Sequence, residues 1–395
     1  MSKFAHFYRA GNQQIQHSTI PAFIEIVLAT NMLRKIQPKS FSLKYTFMKT
    51  NIRQIVIFGL IAVLVLGGLF TQLPACKPDK PLPKVVEQPT KPAVPLVMAP
   101  AFNADSAYYF VKKQVDFGPR VPGTLAHKKC AAWLVSTFKR HGLTVIEQNF
   151  KAVAYFGTLD AVNIIAQYKP ELPNRIIIAS HWDSRHIADK DTKDPNKPIL
   201  GADDGASGVG VLLELARMLQ DSGVNVGVDL ICFDAEDLGK ESETSVVQQV
   251  AGPNTEETWC LGSQYWAANL HKPGYRAQFG ILLDMVGAKG ARFPYEGYST
   301  ANASGQQAAI WSVAKELGLE DLFPKRPGGY ITDDHFFVMK GTGIPMVDII
   351  NIPNEKGFGA YHHTHADNMD IIDKATLKGV GQVVATMIYR AAKPI

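Results

Sequence analysis

The sequence predicts an α/β fold: a single globular domain on a mixed, mostly parallel central sheet flanked by helices. Three observations lead there. Runs such as Ile176–His181 and Val226–Phe233 are nearly all apolar rather than alternating, as strands buried on both faces are. Segments with apolar residues at helical spacing stand among them, the clearest being Ala206–Leu219 with Val209, Leu212, Leu213 and Ala216. The two patterns then alternate toward the C-terminus, the order of a parallel sheet with crossover helices. Of the 395 residues, 46% are hydrophobic and 19% charged, which is a globular balance with ample core.

Residues 1–47 show no clear periodicity and precede a second methionine, Met48, so they read as an upstream extension. Residues 48–76 read as an export signal: Lys49 and Arg53, an uncharged apolar stretch Ile55–Phe70, then small residues. The ending Leu73-Pro74-Ala75-Cys76 resembles the lipobox of bacterial lipoproteins, in which the cysteine carries the lipid. A cleaved signal and an uncleaved anchor are the other readings, since Ile55–Ala75 is long enough to span a bilayer. Each reading places the body outside the cytoplasm, with a lipid or an anchor tying it to the membrane in two of the three. A periplasmic or outer-membrane lipoprotein of a bacterium is the expectation. Residues 77–103 form a Pro/Lys-rich tether, and the catalytic domain is expected over 104–395.

Helices are expected at Asp105–Gln114 and Leu125–His141, separated by the loop Phe117-Gly118-Pro119-Arg120-Val121-Pro122-Gly123. Strands follow at Val145–Phe150, Asp160–Tyr168 and Ile176–His181, then the helix Ala206–Leu219 and the strand Val226–Phe233. The remainder reads as helix Leu261–Leu270, strand Phe279–Val286, helix Gln306–Leu317, strand Ile344–Asn351 and closing helix Lys374–Ala391.

The formal charge of +5 is local. Residues 1–53 hold eight Lys/Arg and one acid, which leaves −2 on the rest and no reason to invoke nucleic acid. The cysteines Cys76, Cys130, Cys232 and Cys260 show no zinc spacing. Cys232, inside an apolar run, reads as buried, and a Cys130–Cys260 disulfide is left open.

Chemistry gathers at the strand ends, where open α/β sheets bind ligands. Ile176–Ile178 lead into His181-Trp182-Asp183, whose His-x-Asp spacing lets the carboxylate orient or charge the imidazole. Then come Asp203-Asp204 ahead of a helix, Asp234-Ala235-Glu236-Asp237, Asp284 inside an apolar run, Thr332-Asp333-Asp334-His335, and Tyr361-His362-His363-Thr364-His365-Ala366-Asp367-Asn368. Singly, each has an ordinary explanation, such as an N-cap for the Asp203-Asp204 pair. Converging at one sheet edge, the carboxylates would repel one another unless a cation neutralised them. A His/Asp/Glu set suits catalytic zinc, with one acid of Glu236-Asp237 binding metal and the other shuttling protons.

Together these motifs resemble the zinc-dependent exopeptidase superfamily of the bacterial leucyl-aminopeptidase type, and within it the glutaminyl-peptide cyclotransferases (glutaminyl cyclases), in particular bacterial enzymes related to the animal type. The resemblance covers about residues 104–390. It rests on S-H-W-D-S at 180–184, G-A-D-D-G-A at 201–206, F-D-A-E-D at 233–237, L-L-D-M-V-G-A at 282–288, D-D-H at 333–335 and H-T-x-x-D-N at 363–368. It implies a zinc-exopeptidase-like fold and cyclisation of N-terminal glutamine, in peptides or proteins, to pyroglutamate with release of ammonia. It implies one zinc on Asp204, Asp237 and His363, with Glu236 as general base and acid and Asp284 and Asp333 in a proton relay. A cis peptide after Asp204 is a further implication. Were the protein instead a two-zinc aminopeptidase, His181 and Asp284 would bind the second ion; a non-catalytic peptide- or metal-binding lipoprotein is the third reading. Trp182, Trp259, Tyr361 and Phe358 are candidates for the substrate pocket wall, or else for core or rim. This chain has Asp237 where many relatives have glutamate, and His362 where animal cyclases have tryptophan. Gly239–Thr258 looks like an insertion and is expected to cover the site as a lid.

Overall fold

Strands and helices follow one another as the periodicities require. The computed structural model describes residues 97–240 and 258–392. The extension, the export signal with Cys76, most of the tether and residues 241–257 of the expected lid lie outside the described residues. Among those described, no helix is long and apolar enough to cross a membrane.

The order is α1 (Ala104–Val115), α2 (Leu125–Arg140), β1 (Thr144–Ala154), β2 (Gly157–Tyr168), β3 (Arg175–His181), α3 (Ala206–Asp221), β4 (Gly227–Phe233), α4 (Leu261–Ala268) and β5 (Gly280–Asp284). Then come β6 (Tyr295–Glu296), α5 (Gly297–Asn302), α6 (Ser304–Glu316), β7 (Pro327–Gly329), α7 (Asp334–Thr342), β8 (Met346–Ile350) and α8 (Lys374–Ala391). The main sheet runs β1-β2-β4-β3-β5-β8. Strands β4, β3, β5 and β8 are parallel, while β1 and β2 are an antiparallel hairpin joined to the β4 edge. Short β6 and β7 pair separately.

Alternation along the strands sorts the core into two layers. Ile164, Ile176, Ile178, Leu230, Cys232, Ile281, Leu283 and Val347 meet α1, α2, α3, α6 and α8 on one face. Ile165, Ile177, Ala179, Ile231, Phe233, Leu282 and Met346 meet α4 and α7 on the other. Helix α3 buries both sides of its amphipathic stripe, including Val209, Leu212, Leu213 and Leu215; each such side chain contributes roughly 1.5–3 kcal/mol.

Three differences from expectation have physical causes. The body begins before Ala104: Phe102 is buried and Arg390 Nε donates to Val97 O at 3.0 Å, so 97–103 is packed chain rather than tether. Helices α5 and α7 go unpredicted. Asp333 caps α7 and Gly343, at φ 71°, ends it, but its apolar residues lack a one-sided stripe. No peptide among the described residues is cis; Gly205, at φ 92°, makes the turn after Asp204.

Candidate metal centre and active site

Strand β3 delivers His181 to the carboxyl edge of the sheet. The ring is buried, with Nε2 3.0 Å from Asp204 Oδ1 and 3.2 Å from Asp284 Oδ1, and Nδ1 3.4 Å from Asp183 Oδ1. Burial opposes a charge on His181, but Asp183, Asp204 and Asp284 outweigh it and raise its pKa well above the usual imidazole range. Asp183 does more than orient the ring: its two oxygens accept from Glu236 N (3.1 Å) and Asp237 N (3.2 Å). The His-x-Asp spacing thus ties the end of β3 to the acid pair after β4.

The Asp203-Asp204 pair is not an N-cap. Gly205 caps α3 without a side-chain bond, and a Cβ there would lie 2.7 Å from Asp183 O and 2.9 Å from His181 Cε1. Glycine is required by that approach. Asp203 accepts from Gly287 N at 2.6 Å and from the Tyr361 hydroxyl. Asp367, the acid of H-T-x-x-D-N, accepts from Asp203 N (2.7 Å) and Asp204 N (3.1 Å). Asp204 is therefore aimed inward, its Oδ2 3.8 Å from His363 Nε2 and 3.9 Å from His362 Nε2.

The acid pair divides as its chemistry suggests. Asp237 is buried, with Oδ1 3.3 Å from His363 Nε2 and 3.0 Å from Arg185 Nη1. Burial works against ionising Asp237, yet the charges of His363 and Arg185 prevail and hold its pKa below the carboxylate range. Glu236 is half-buried, and the Cys260 thiol donates to its Oε1 at 3.1 Å. Burial first, then the charges of Asp333 and Asp237, lifts the Glu236 carboxyl well above its usual range. Asp284 is pushed up to about 7, mainly by burial. Asp333 lies with Glu236 and Cys260 in one group whose donor atoms are all within 4.8 Å.

These residues fit a metal ion. Asp204, His362 and His363 have donor atoms within 4.8 Å of one another, as do His181, Asp204 and Asp284. The 3.3 Å between His363 Nε2 and Asp237 Oδ1 matches the roughly 3.3 Å edge of a tetrahedron with zinc-length bonds. Asp237 Oδ2 is buried without a hydrogen-bond partner among the described residues, which a bound cation would supply. Ala235, Met285 and His363 all take positive φ (56°, 50° and 60°), a strain of roughly 1–3 kcal/mol each that is typical of functional sites.

The expected ligands Asp204, Asp237 and His363 thus come together, with Glu236, Asp284, Asp333 and His181 around them. His362 joins the donors: its ring stacks on His363 at 3.6 Å and its Nδ1 is 2.9 Å from Lys190 Nζ. Among the pocket candidates, Trp182 is corrected to core. It is fully buried, stacks on His127 at 4.3 Å and donates to Val162 O, because the residue after His181 faces the opposite side of the sheet. Tyr361 is half-buried with its hydroxyl held between Asp203 and Asn351, so it anchors the histidine loop and offers no polar group to a substrate. Trp259 remains a wall candidate, its ring parallel to that of His363 at 6.0 Å and the Arg185 guanidinium 4.8 Å above it. Phe358 lies 4.5 Å from His362. Cys130, Cys232 and Cys260 are buried and free, so there is no Cys130–Cys260 disulfide.

Sequence reasoning passes over three residues. Arg185, one position past S-H-W-D-S, also grips Asp189 and Gly239 O. Arg120, from the F-G-P-R-V-P-G loop, donates to Trp182 O, Leu200 O and Gly201 O. Cys260 contacts Glu236. Loop residues carry no periodicity to mark them, although a lone arginine between the Gly118-Pro119 and Pro122-Gly123 pairs is a signal of a buried anchor.

Fold and site together define a metalloenzyme of the α/β exopeptidase class, with its donors on strand ends and loops at the carboxyl edge of the sheet. The chain belongs to peptidase family M28, whose model matches residues 163–388; the family is zinc-dependent. It is similar to the crystal structure of Bacteroides thetaiotaomicron glutaminyl cyclase, at 48% identity and a TM-score of 0.70, covering 74% of this chain and 99% of that one. Porphyromonas gingivalis glutaminyl cyclase is similar at 46% identity and a TM-score of 0.69, covering 74% and 99%. The glutaminyl-peptide cyclotransferase of Bos taurus is 25% identical over 299 residues, 68% of this chain and 77% of the relative. The family and fold implied by the sequence motifs are borne out.

Proposed function

We infer that the protein is a zinc-dependent glutaminyl-peptide cyclotransferase, converting N-terminal glutamine of peptides and proteins to pyroglutamate. The observation that carries this reading is the placement of Glu236 beside the ligand cluster, in a chain aligned with glutaminyl cyclases over nearly their whole length. Asp204, Asp237 and His363 would hold a single zinc. Bound there, the ion supplies Lewis acidity toward the γ-amide carbonyl. Glu236 takes a proton from the substrate α-amine as that nitrogen bonds to the carbonyl carbon of the γ-amide (the side chain's δ-carbon), then returns it to the amide nitrogen, whose bond to that carbon breaks to release ammonia. Asp284 and Asp333 steady the proton on Glu236, and Trp259 with Phe358 borders the glutamine. The nucleophile belongs to the substrate, so no second ion is needed to activate water.

An aminopeptidase is the second reading, favoured by the spacing of His181, Asp204 and Asp284, which suits a second ion. A peptide beginning with glutamine separates the two when its product is followed by mass. Loss of ammonia alone, abolished by a chelator and restored by zinc, is expected. Loss of the whole glutamine residue would make the protein an aminopeptidase, and no change with zinc bound would leave a binding protein. Attachment to a bacterial membrane outside the cytoplasm, in the periplasm or at the outer membrane, through lipid on Cys76 belongs to the same proposal and rests on the signal-like sequence alone.

The contact of Cys260 with Glu236 predicts a graded effect. Cys260→Ala removes a donor to the catalytic carboxylate and should lower kcat about tenfold, the equivalent of one hydrogen bond, with little change in KM. Cys260→Ser keeps a donor and should recover most of the rate in steady-state assays. Equal rates for the two variants would show that the thiol only fills space.

A further inference from the structure

Beneath the catalytic acids lies a second cluster of donors. Asp333 caps α7, His335 sits in its first turn, and Asp348 projects from β8. All three are buried, and one ligand atom from each lies within 4.8 Å of the others. Each also has an atom with no hydrogen-bond partner among the described residues: Asp333 Oδ2, His335 Nδ1, and both oxygens of Asp348.

The histidine ring is held in one orientation. Its Nε2 lies 3.0 Å from Glu296 Oε2, and that carboxylate already accepts from Tyr298 N, Ser299 N, the Ser299 hydroxyl and Ile331 N. Glu296 accepts, so Nε2 carries a proton and Nδ1 is the ring atom that faces the cluster. A carboxylate behind a histidine in this way is the usual support of a metal-binding imidazole.

The carboxyl groups of Asp333, Glu296, Asp284 and Asp334 act on Asp348, and the His335 ring lies beside it. A proton shared between two carboxyls would bring their oxygens into hydrogen-bond contact, and these atoms make none. His335 Nδ1 to Asp348 Oδ2, at 3.7 Å, is too long for a hydrogen bond but close to the roughly 3.3 Å between two ligands of one tetrahedral ion.

We propose that Asp333, His335 and Asp348 bind a divalent cation of the zinc class, at a site distinct from the centre at Asp204 and His363. One imidazole and two carboxylates suit such an ion. It would neutralise the buried acids and fix Asp333 next to Glu236. The proposal does not depend on the reaction catalysed.

The test is metal content of the full chain, stripped with chelator, reloaded with zinc chloride and dialysed. Asp348→Asn, nearly the same shape, should lose one zinc per chain relative to wild type, and His335→Gln should lose the same one. Asp204→Asn reports separately on the centre above, so failure here leaves the cyclase reading untouched. An unchanged metal content in folded Asp348→Asn would overturn the proposal. If the variants do not fold, zinc-edge anomalous scattering from wild-type crystals decides. A peak about 2.0–2.1 Å from His335 Nδ1 is expected, and its absence from zinc-soaked crystals overturns the site.

Discussion

Glu236→Gln should abolish cyclisation while leaving zinc bound. Glutamine keeps the size of the side chain and can still meet the Cys260 thiol at its amide oxygen, so the fold has no cause to change. It cannot take the proton of the α-amine or return it to the leaving nitrogen, and positioned proton transfer is worth roughly 10²–10⁴ in rate. A fall in kcat of about 10³ or more is expected, with zinc content equal to wild type because Asp204, Asp237 and His363 are untouched. Steady-state kinetics on a glutamine peptide, paired with metal analysis, checks both halves. Retained turnover would remove Glu236 from its role, and lost zinc would make it a ligand.

Arg120→Ala should have the largest effect on stability. The guanidinium is fully buried and donates to Trp182 O at 2.9 Å, Leu200 O at 2.6 Å and Gly201 O at 2.7 Å. Deleting it leaves three carbonyls without a charged donor and opens a cavity. Hydrogen bonds to charged groups contribute about 1.5–3 kcal/mol each and are not additive, so a loss of about 3–5 kcal/mol is expected. That is a large fraction of the roughly 5–15 kcal/mol that holds a typical native state. The bonded carbonyls flank His181 and Asp204, so zinc affinity should fall as well. Arg120→Lys should recover only part, since an ammonium cannot serve three diverging carbonyls. Urea unfolding measures the change; a loss below about 1 kcal/mol would contradict a structural role for those bonds.

Most of the site was legible because its residues stand where apolar runs stop. His181, Glu236 and Asp284 each lie at or within a few residues of a buried strand's end, a place the hydrophobic pattern itself marks. The same logic, carried one residue further, would have corrected Trp182, since adjacent strand positions face opposite layers. What stayed hidden depends on contacts between distant segments. Arg185 reaches Asp237 across 52 positions and Glu296 reaches His335 across 39, and no local pattern encodes either. Helix α7 escaped because its Phe-Phe-Val-Met run is apolar on every side, although its aspartate cap and closing glycine were in plain view.

The gathering of donors from distant segments at one sheet edge has a consequence for how the active protein comes into being. His181 lies near the middle of the 395-residue chain and His363 near its end, with β8 and the loop after it between Asp284 and the histidine pair. A partly synthesised or partly folded chain can build the hydrophobic layers around α3 yet has no complete set of ligands. Ion capture therefore waits for topological closure of the sheet, and thereafter acts only on the finished state, stabilising it in proportion to the logarithm of free metal. Metal occupancy is, in that sense, a certificate of complete folding written into the strand order.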